Sequence, residues 1–237
     1  KYKLAVDQAH ALMVDKIGVK KLITQKFPRI KVARTKRILR NGNLAEIPYT
    51  DLPAVLKVSN GTNSTLILEH LWDLETQQLQ QVIDGWLARN MTYYREYLYQ
   101  SVKPEAFIEE RIESSLNAPN DYKFFCFDGH VELFLFCTDR YGTAGLRKGF
   151  FELDGSFIDL GIAEYSFNGN GGHLELLNQF SDAVKFASQL SRGHKFLRVD
   201  VYLEKEDIYF GECTFFDASG FKDYGSLNQR LGMRFAI

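Results

Sequence analysis

Four residues near the end of the sequence have the types and spacing to do chemistry together. Residues 196–202 (FLRVDVY) carry Arg198 and Asp200, and residues 209–215 (YFGECTF) carry Glu212 and Thr214. Both segments read as strands, and the polar stretch Glu204 to Asp207 between them reads as a turn. Strand alternation puts Arg198 and Asp200 on one face and Val199 and Val201 on the other, while Glu212 and Thr214 share a face of the partner strand. A turn centred near Glu206 sets Asp200 opposite Glu212 and Arg198 opposite Thr214. Two carboxylates about 5 Å apart repel by roughly 3 kcal/mol at an effective dielectric of about 20, more than pairing of those positions returns, so a cation belongs between them. Hard carboxylate oxygens suit Mg²⁺, which keeps waters and completes its shell with substrate phosphates. Arg198 beside them suits phosphate oxygens and the charge that develops in a transition state. The alternative is that Arg198 itself neutralises one acid in a salt bridge, and these residues alone leave both readings open.

The remaining elements must position these strands. Residues 1–27 read as helical, broken around Gly18 and stopped at Pro28. A strand at 54–58, the turn-rich stretch Ser59 to Ser64 and a strand at 65–69 read as a hairpin with a mobile tip. In the helix that follows, Asp73 serves as N-cap and Leu79, Val82, Ile83, Trp86 and Leu87 supply one apolar stripe. Residues 106–110 read as a strand. Two hairpins announce themselves through Asp-Gly pairs, 122–127 with 131–137 about Asp128-Gly129, and 150–153 with 157–160 about Asp154-Gly155. An amphipathic helix is marked by Leu176, Leu177, Phe180, Ala183, Val184, Ala187 and Leu190. Runs of strands with helices interspersed, rather than strict alternation, argue for an α+β fold. No internal repeat and no low-complexity linker is visible.

Composition narrows the class. The 237 residues are 45% hydrophobic and 25% charged, ordinary for a globular chain with a sizeable core. No apolar run approaches the roughly 18 residues of a membrane span, and the first residues lack the apolar stretch of a signal peptide, so a cytoplasmic protein is expected. Cys126, Cys137 and Cys213 lie in Phe-rich segments without metal-site or redox spacing, and read as reduced core residues. The net charge of -1 hides a basic run from Lys16 to Arg40 that contains no acid. This run reads either as a docking surface for an anion or as a solvated helix face. No nucleic-acid recognition motif accompanies it, so no nucleic acid is expected.

The phrases Arg198-Val-Asp-Val-Tyr202 and Tyr209-Phe-Gly-Glu-Cys-Thr-Phe215, with 121–129 (DYKFFCFDG), resemble the signatures of the TupA-like ATP-grasp family. Residues 52–57 (LPAVLK) resemble the strand carrying that family's first phosphate lysine. Residues 86–90, 94–99 and 102–104 resemble its linker helices, so the resemblance covers most of 11–237. It implies an ATP-grasp fold of two α+β lobes whose antiparallel sheets clasp ATP, preceded by a short basic helical segment. The divisions implied are 1–48 for that segment, 49–110 for the small lobe and linker helices, and 111–237 for the large lobe with the metal-binding strands. The resemblance further implies that Lys57 and Lys123 touch ATP phosphates, with Lys123 and Arg198 acting at the transferred phosphate. Glu109 and Glu110 mark the strand against adenine, and Asp200 and Glu212 are magnesium ligands.

Two positions depart from common patterns. The loop after Lys57 is poorer in glycine than is usual in the family, leaving the backbone N–H groups around Asn60, Gly61 and Thr62 to cradle phosphate. Thr214 stands where many ATP-grasp enzymes place an Asn as third metal ligand. The implied cofactors are ATP and Mg²⁺. The implied reaction is a carboxylate-amine ligation through an acyl phosphate, adding an amino acid to an acidic cell-surface polysaccharide or its precursor. A phosphotransferase acting on a sugar hydroxyl, or a degenerate module that binds nucleotide or glycan without turnover, are the alternatives.

Overall fold

The computed structural model describes residues 8–61, 63–70, 77–89, 91, 97–143, 145–167, 172–217 and 222–235. In chain order these form α1 (Gln8–Val14), α2 (Gly18–Lys26), β1 (Lys31–Val32), β2 (Thr35–Leu39), β3 (Ala54–Val58) and β4 (Thr65–Leu68). Next come α3 (Gln77–Leu87), β5 (Ala106–Glu110), β6 (Asp121–Phe127), β7 (His130–Thr138), β8 (Arg147–Phe151) and β9 (Phe157–Ile158). The chain ends with α4 (Phe180–Ser191), β10 (Leu197–Glu204), β11 (Asp207–Thr214) and α5 (Leu227–Phe235). Two compact units result, one from the described residues of Lys1–Lys26 and Val32–Ile112, the other from those of Phe27–Lys31 and Glu113–Ile237.

The first unit is built on a four-stranded antiparallel sheet of order β2-β5-β3-β4. Alternation along β3 puts Ala54, Leu56 and Val58 into the core with Ala106 and Ile108 of β5, and leaves Val55 and Lys57 on the other face. Helix α3 covers that core through Ile83, Leu79, Trp86 and Leu87. Val82, expected in the same stripe, is 43% exposed, because it lies at the edge of the arc and the sheet is too narrow to reach it. The N-cap expected at Asp73 lies outside the described residues.

Strand β2 is a correction to the sequence reading, which made the basic stretch mainly helical. Its residues, TKRIL, bury only Leu39 and pair with β5 as an edge strand. A strand with one solvated edge needs neither alternation nor apolar residues to be paired, so periodicity did not reveal it.

The second unit holds a seven-stranded sheet of order β1-β11-β10-β6-β7-β8-β9. Both faces are covered, which is why β6 and β7 read as near-continuous apolar runs. On one face Tyr122, Phe124, Phe134 and Phe180 of α4 meet in tilted and stacked ring pairs with centroids 5.0–6.0 Å apart. On the other, Phe125, Phe127, Leu133, Leu135 and Phe150 pack with Tyr165, Tyr224 and the α5 residues Leu227 and Leu231. All three cysteines are free and buried, as expected. The β6–β7 hairpin turns at Asp128-Gly129, both at positive φ (46° and 86°), the conformation that an Asp-Gly pair favours. Helix α4 begins at Phe180, later than its apolar spacing suggested. Leu177 is 40% exposed and its carbonyl accepts from Phe180 N at 2.9 Å, closing a turn ahead of the helix.

Helix α5 was not anticipated, since Leu227 and Leu231 are its only buried side chains. Its attachment is ionic as much as apolar. Arg230 and Arg234 donate to the two Glu132 oxygens at 2.5 and 2.6 Å, and Arg230 also clamps Glu152. Among the described residues no helix is long and apolar enough to cross a membrane.

The two-sided packing makes an unequal pair of substitutions informative. Phe124→Ala, at a site with no exposure, should lower unfolding free energy by about 3–5 kcal/mol in urea titrations. Val82→Ala should change it by less than about 0.5 kcal/mol.

Candidate active site

The register of β10 and β11 matches the sequence reading: Asp200 stands opposite Glu212 and Arg198 opposite Thr214. The way it is reached differs. The loop is the two-residue turn Lys205-Glu206, with Glu204 paired to Asp207, and from there to Val201 the ladder runs one residue short of the expected register. Gly211 is the extra residue that corrects it, a bulge between the Val201–Phe210 and Asp200–Glu212 pairs. Without the bulge Asp200 would face Gly211, and Glu212 would turn to the opposite face of the sheet. A Cβ at Gly211 would come within 3.1 Å of the Asp200 carbonyl oxygen, so glycine suits this close approach.

Asp200 is 1% exposed and Arg198 8%. Arg198 grips Asp200 with two parallel bonds, Nε to Oδ1 at 2.7 Å and Nη2 to Oδ2 at 2.8 Å. The same guanidinium donates to Asp217 through Nη1 and stands 3.5 Å from Glu212. From the neighbouring strand β6, where Lys123 is the register partner of Asp200, the ammonium reaches Asp200 Oδ2 and, at 2.7 Å, Asp121 Oδ2. Arg140 Nη2 donates to the same Asp121 oxygen at 3.0 Å.

The cluster thus holds three cations, Lys123, Arg140 and Arg198, against four carboxylates, Asp121, Asp200, Glu212 and Asp217. Burial alone would raise the Asp200 pKa, but the guanidinium and the ammonium hold it below the usual carboxylate range. Burial pulls Lys123 the other way, and Asp121 and Asp200 overcome it, keeping the lysine charged. The cation expected between the acids is therefore, in this arrangement, a guanidinium. Three carboxylates converge on Arg198, and among the described residues no three Asp, Glu, His or Cys side chains are grouped as metal ligands. The donors are nonetheless of the hard kind magnesium takes, and Glu212, with its side chain one-third exposed, is the most open of them.

The first unit gathers the other predicted residues around Glu109. Its carboxylate, 4% exposed, receives Lys57 on Oε1 at 2.5 Å and Lys20 on Oε2 at 2.6 Å. Lys57 and Glu109 share the face of the sheet away from the apolar core, Glu109 pairing in register with Val55 and Phe107 with Lys57. Burial would raise the Glu109 pKa, and the two lysines more than reverse it. Lys20 is lowered, by burial first and by the neighbouring Lys57. Glu110 is half-exposed, accepting from Arg34 N at 2.9 Å.

The loop expected to be mobile is hydrogen-bonded to other segments at Ser59 and Gly61. Ser59 N donates to Glu105 O at 2.9 Å and its Oγ to Lys103 O at 2.6 Å, while Lys16 donates from N to Ser59 O and from Nζ to Gly61 O. Ser59, Asn60 and Ser64 are buried, and Asn60 Oδ1 and Ser64 Oγ have no hydrogen-bond partner among the described residues. Composition offered no apolar anchor, but backbone hydrogen bonds supply one. Thr62 lies outside the described residues.

Much of the basic run is also occupied. Lys20 serves Glu109, Lys31 pairs with Asp207 at 2.6 Å, and Lys36 donates to Asp51 O at 2.6 Å. Arg34 and Arg37 keep exposed side chains beside Glu110 and Asp51. Lys20, Asp121, Arg140 and Asp217 were not singled out from sequence. Asp121 had a usable signal, lying two residues before Lys123 and so on its face of the strand.

No curated protein matches the chain by sequence. The family described as TupA-like ATPgrasp matches residues 2–235. Among solved structures, the ATP-grasp ligase PsnB complexed with minimal precursor, Mg and ADP is similar with a TM-score of 0.51 and 14% identity, over 98% of this chain and 61% of that one. D-alanine–D-alanine ligase from Bacillus anthracis complexed with ATP gives 0.51 and 14%, over 95% and 66%. The ligase of the same name from Helicobacter pylori gives 0.50 and 16%, over 95% and 60%. The chain spans about three fifths of the length of the PsnB chains it matches. These likenesses establish the ATP-grasp fold, with its α+β content and antiparallel sheets.

Two consequences of the buried charges can be measured. Asp200→Asn leaves Arg198 and Lys123 without their shared carboxylate and should cost about 3–5 kcal/mol of unfolding free energy. Glu109 has a depressed folded pKa, so its contribution is present above its unfolded value near about 4.3 and is lost as pH falls through the folded value. Melting temperature should therefore drop more steeply below pH ~4.5 in the natural chain than in Glu109→Gln, and parallel acid profiles would contradict the pairing.

Proposed function

Because the chain belongs to the TupA-like ATP-grasp family, we propose that it is an ATP- and magnesium-dependent carboxylate-amine ligase working in the cytoplasm. Its products are amides, formed through an acyl phosphate, that join an amino acid to an acidic sugar, a polysaccharide or a precursor of one. The observation that carries this reading is the buried Lys123–Asp200–Arg198 array with Glu212 opposite, in a fold shared with ligases whose structures hold Mg and ADP or ATP.

In the first step a substrate carboxylate oxygen attacks the γ-phosphorus of ATP, the bond to the ADP oxygen breaks, and ADP leaves with the electron pair. An amine then attacks the acyl carbon, phosphate leaves, and the nitrogen loses its proton. The protein's share is positioning and electrostatics. Lys57, Lys123 and the backbone N–H groups of residues 60–62 bind phosphate oxygens, and the β5 strand at Glu109 and Glu110 lies against adenine. Arg198 meets the phosphoryl group in transfer, where its fork of donors stabilises developing charge. Asp200, Glu212 and Thr214 would hold magnesium, which when bound neutralises phosphate charge. Asp200 already has two cationic partners, so Glu212 is the ligand freest to accept the ion. The exposed Arg34, Arg37 and Arg40 support an anionic acceptor.

The test is a mass spectrum of products from ATP, Mg²⁺, mixed amino acids and acidic sugars. ADP, phosphate and a species at the summed substrate masses less water are expected. A phosphorylated sugar with ADP would make it a phosphotransferase, and no ADP above the protein-free control would overturn enzymatic turnover. Glu212→Gln should abolish magnesium-dependent ADP release while shifting the melting temperature by no more than about 2 °C, since its ion pair with Arg198, at 3.5 Å, is long and its carboxylate partly exposed. Full activity in that variant would remove Glu212 from the metal site.

A further inference from the structure

Two ammonium groups share one buried carboxylate in the first unit, and they are not equivalent. Lys20 has three N–H donors, and three acceptors account for them: Ala33 O at 2.7 Å, Thr35 Oγ1 at 3.1 Å and Glu109 Oε2 at 2.6 Å. Its Nζ also sits 5.2 Å from the centre of the Phe107 ring. These contacts tie Lys20, on helix α2, to β5 and to the chain at Ala33 and Thr35. Lys57 approaches the same carboxylate from β3, on the other oxygen. Both ammonium groups thus meet on one carboxylate that is 4% exposed.

We propose that Lys20 is a positioning residue for Lys57: it holds Glu109 so that Lys57 can turn to an incoming nucleotide phosphate without leaving an unpaired carboxylate buried in the sheet. The inference rests on the ATP reading above and assigns Lys20 a part that reading does not contain.

The physical reason is the asymmetry of buried ion pairs. Withdrawing the only partner of a buried carboxylate is the costly case, because the charge left behind is neither hydrated nor compensated. With Lys57 alone, phosphate binding would have to overcome that cost. With Lys20 in place, Glu109 stays ion-paired whether Lys57 is on it or on the phosphate. Glu109 in turn holds Lys57 near its place before the ligand arrives. Lys16 and Lys21, neighbours in sequence, are not on this carboxylate: Lys16 reaches Gly61 O and Lys21 is exposed.

The experiment is calorimetric titration of the full chain with ATP in the presence of Mg²⁺, alongside melting curves. Lys20→Met should weaken ATP binding by about tenfold or more, since Lys57 is then committed to Glu109. Lys20→Arg, which keeps charge and donors, should recover most of that loss. The double substitution Lys20→Met with Glu109→Gln removes both charges, so that Glu109 no longer holds Lys57, and should bind ATP more tightly than Lys20→Met alone. That variant leaves no buried carboxylate of this cluster without a cation, so it serves if Lys20→Met does not fold, and it is then compared with Lys57→Met, than which it should bind more tightly. A purely structural Lys20 predicts the reverse order, with the double variant no better than either single one, and that result overturns the proposal. Natural-chain binding with an unchanged Lys20→Met overturns the positioning role alone, whereas absence of ATP binding by the natural chain overturns the ATP reading and this inference together.

Discussion

Charge buried on the inner strands of a two-sided sheet is the constraint around which the second unit is arranged. Strands β6 and β10 are neighbours in the interior of a seven-stranded sheet, and on them Asp200 and Asp121 are almost inaccessible. A carboxylate there survives as an anion only with cations in hydrogen-bond contact. Arg198 two residues along the same strand and Lys123 directly across meet that requirement for Asp200, and Lys123 with Arg140 meets it for Asp121. The requirement reaches back to the covalent chain. Only a bulge at Gly211 puts Glu212 on the same face, and a residue without a side chain suits that close approach to the Asp200 carbonyl.

The first unit solves the same problem with the opposite sign. Its buried carboxylate, Glu109, meets two lysines, while in the cluster of the second unit three carboxylates meet one guanidinium. In both units the buried carboxylate is kept ionised by cations from more than one segment of the chain.

Around these polar centres the packing is insulating. Aromatic side chains fill the face under α4 in offset and edge-on pairs, and on the opposite face α5 is pinned by Arg230 and Arg234 on Glu132. Water excluded from both faces strengthens every electrostatic contact between them, the ordered ion pairs included.

Local chemistry was legible in the chain. Alternation put Arg198 with Asp200 and Glu212 with Thr214, though the bulge at Gly211 is what brings the two pairs to one face, and Asp128-Gly129 announced its hairpin, because side-chain direction in a strand and positive φ in a turn depend on a few adjacent residues. What stayed hidden depends on partners distant in sequence. Nothing near Lys20 distinguishes it from Lys21, and its role appears only when a residue 89 positions away arrives beside it. The edge strand β2, the sparsely apolar α5 and the pinned loop at Ser59 are the same case: each is held by backbone or ionic bonds to other elements, not by its own periodicity. The sequence by itself determined which residues could carry charge and which face of a strand they take. Only the tertiary structure decided which opposite charge each one meets, since ion pairing in a buried site is a property of two segments brought together by packing.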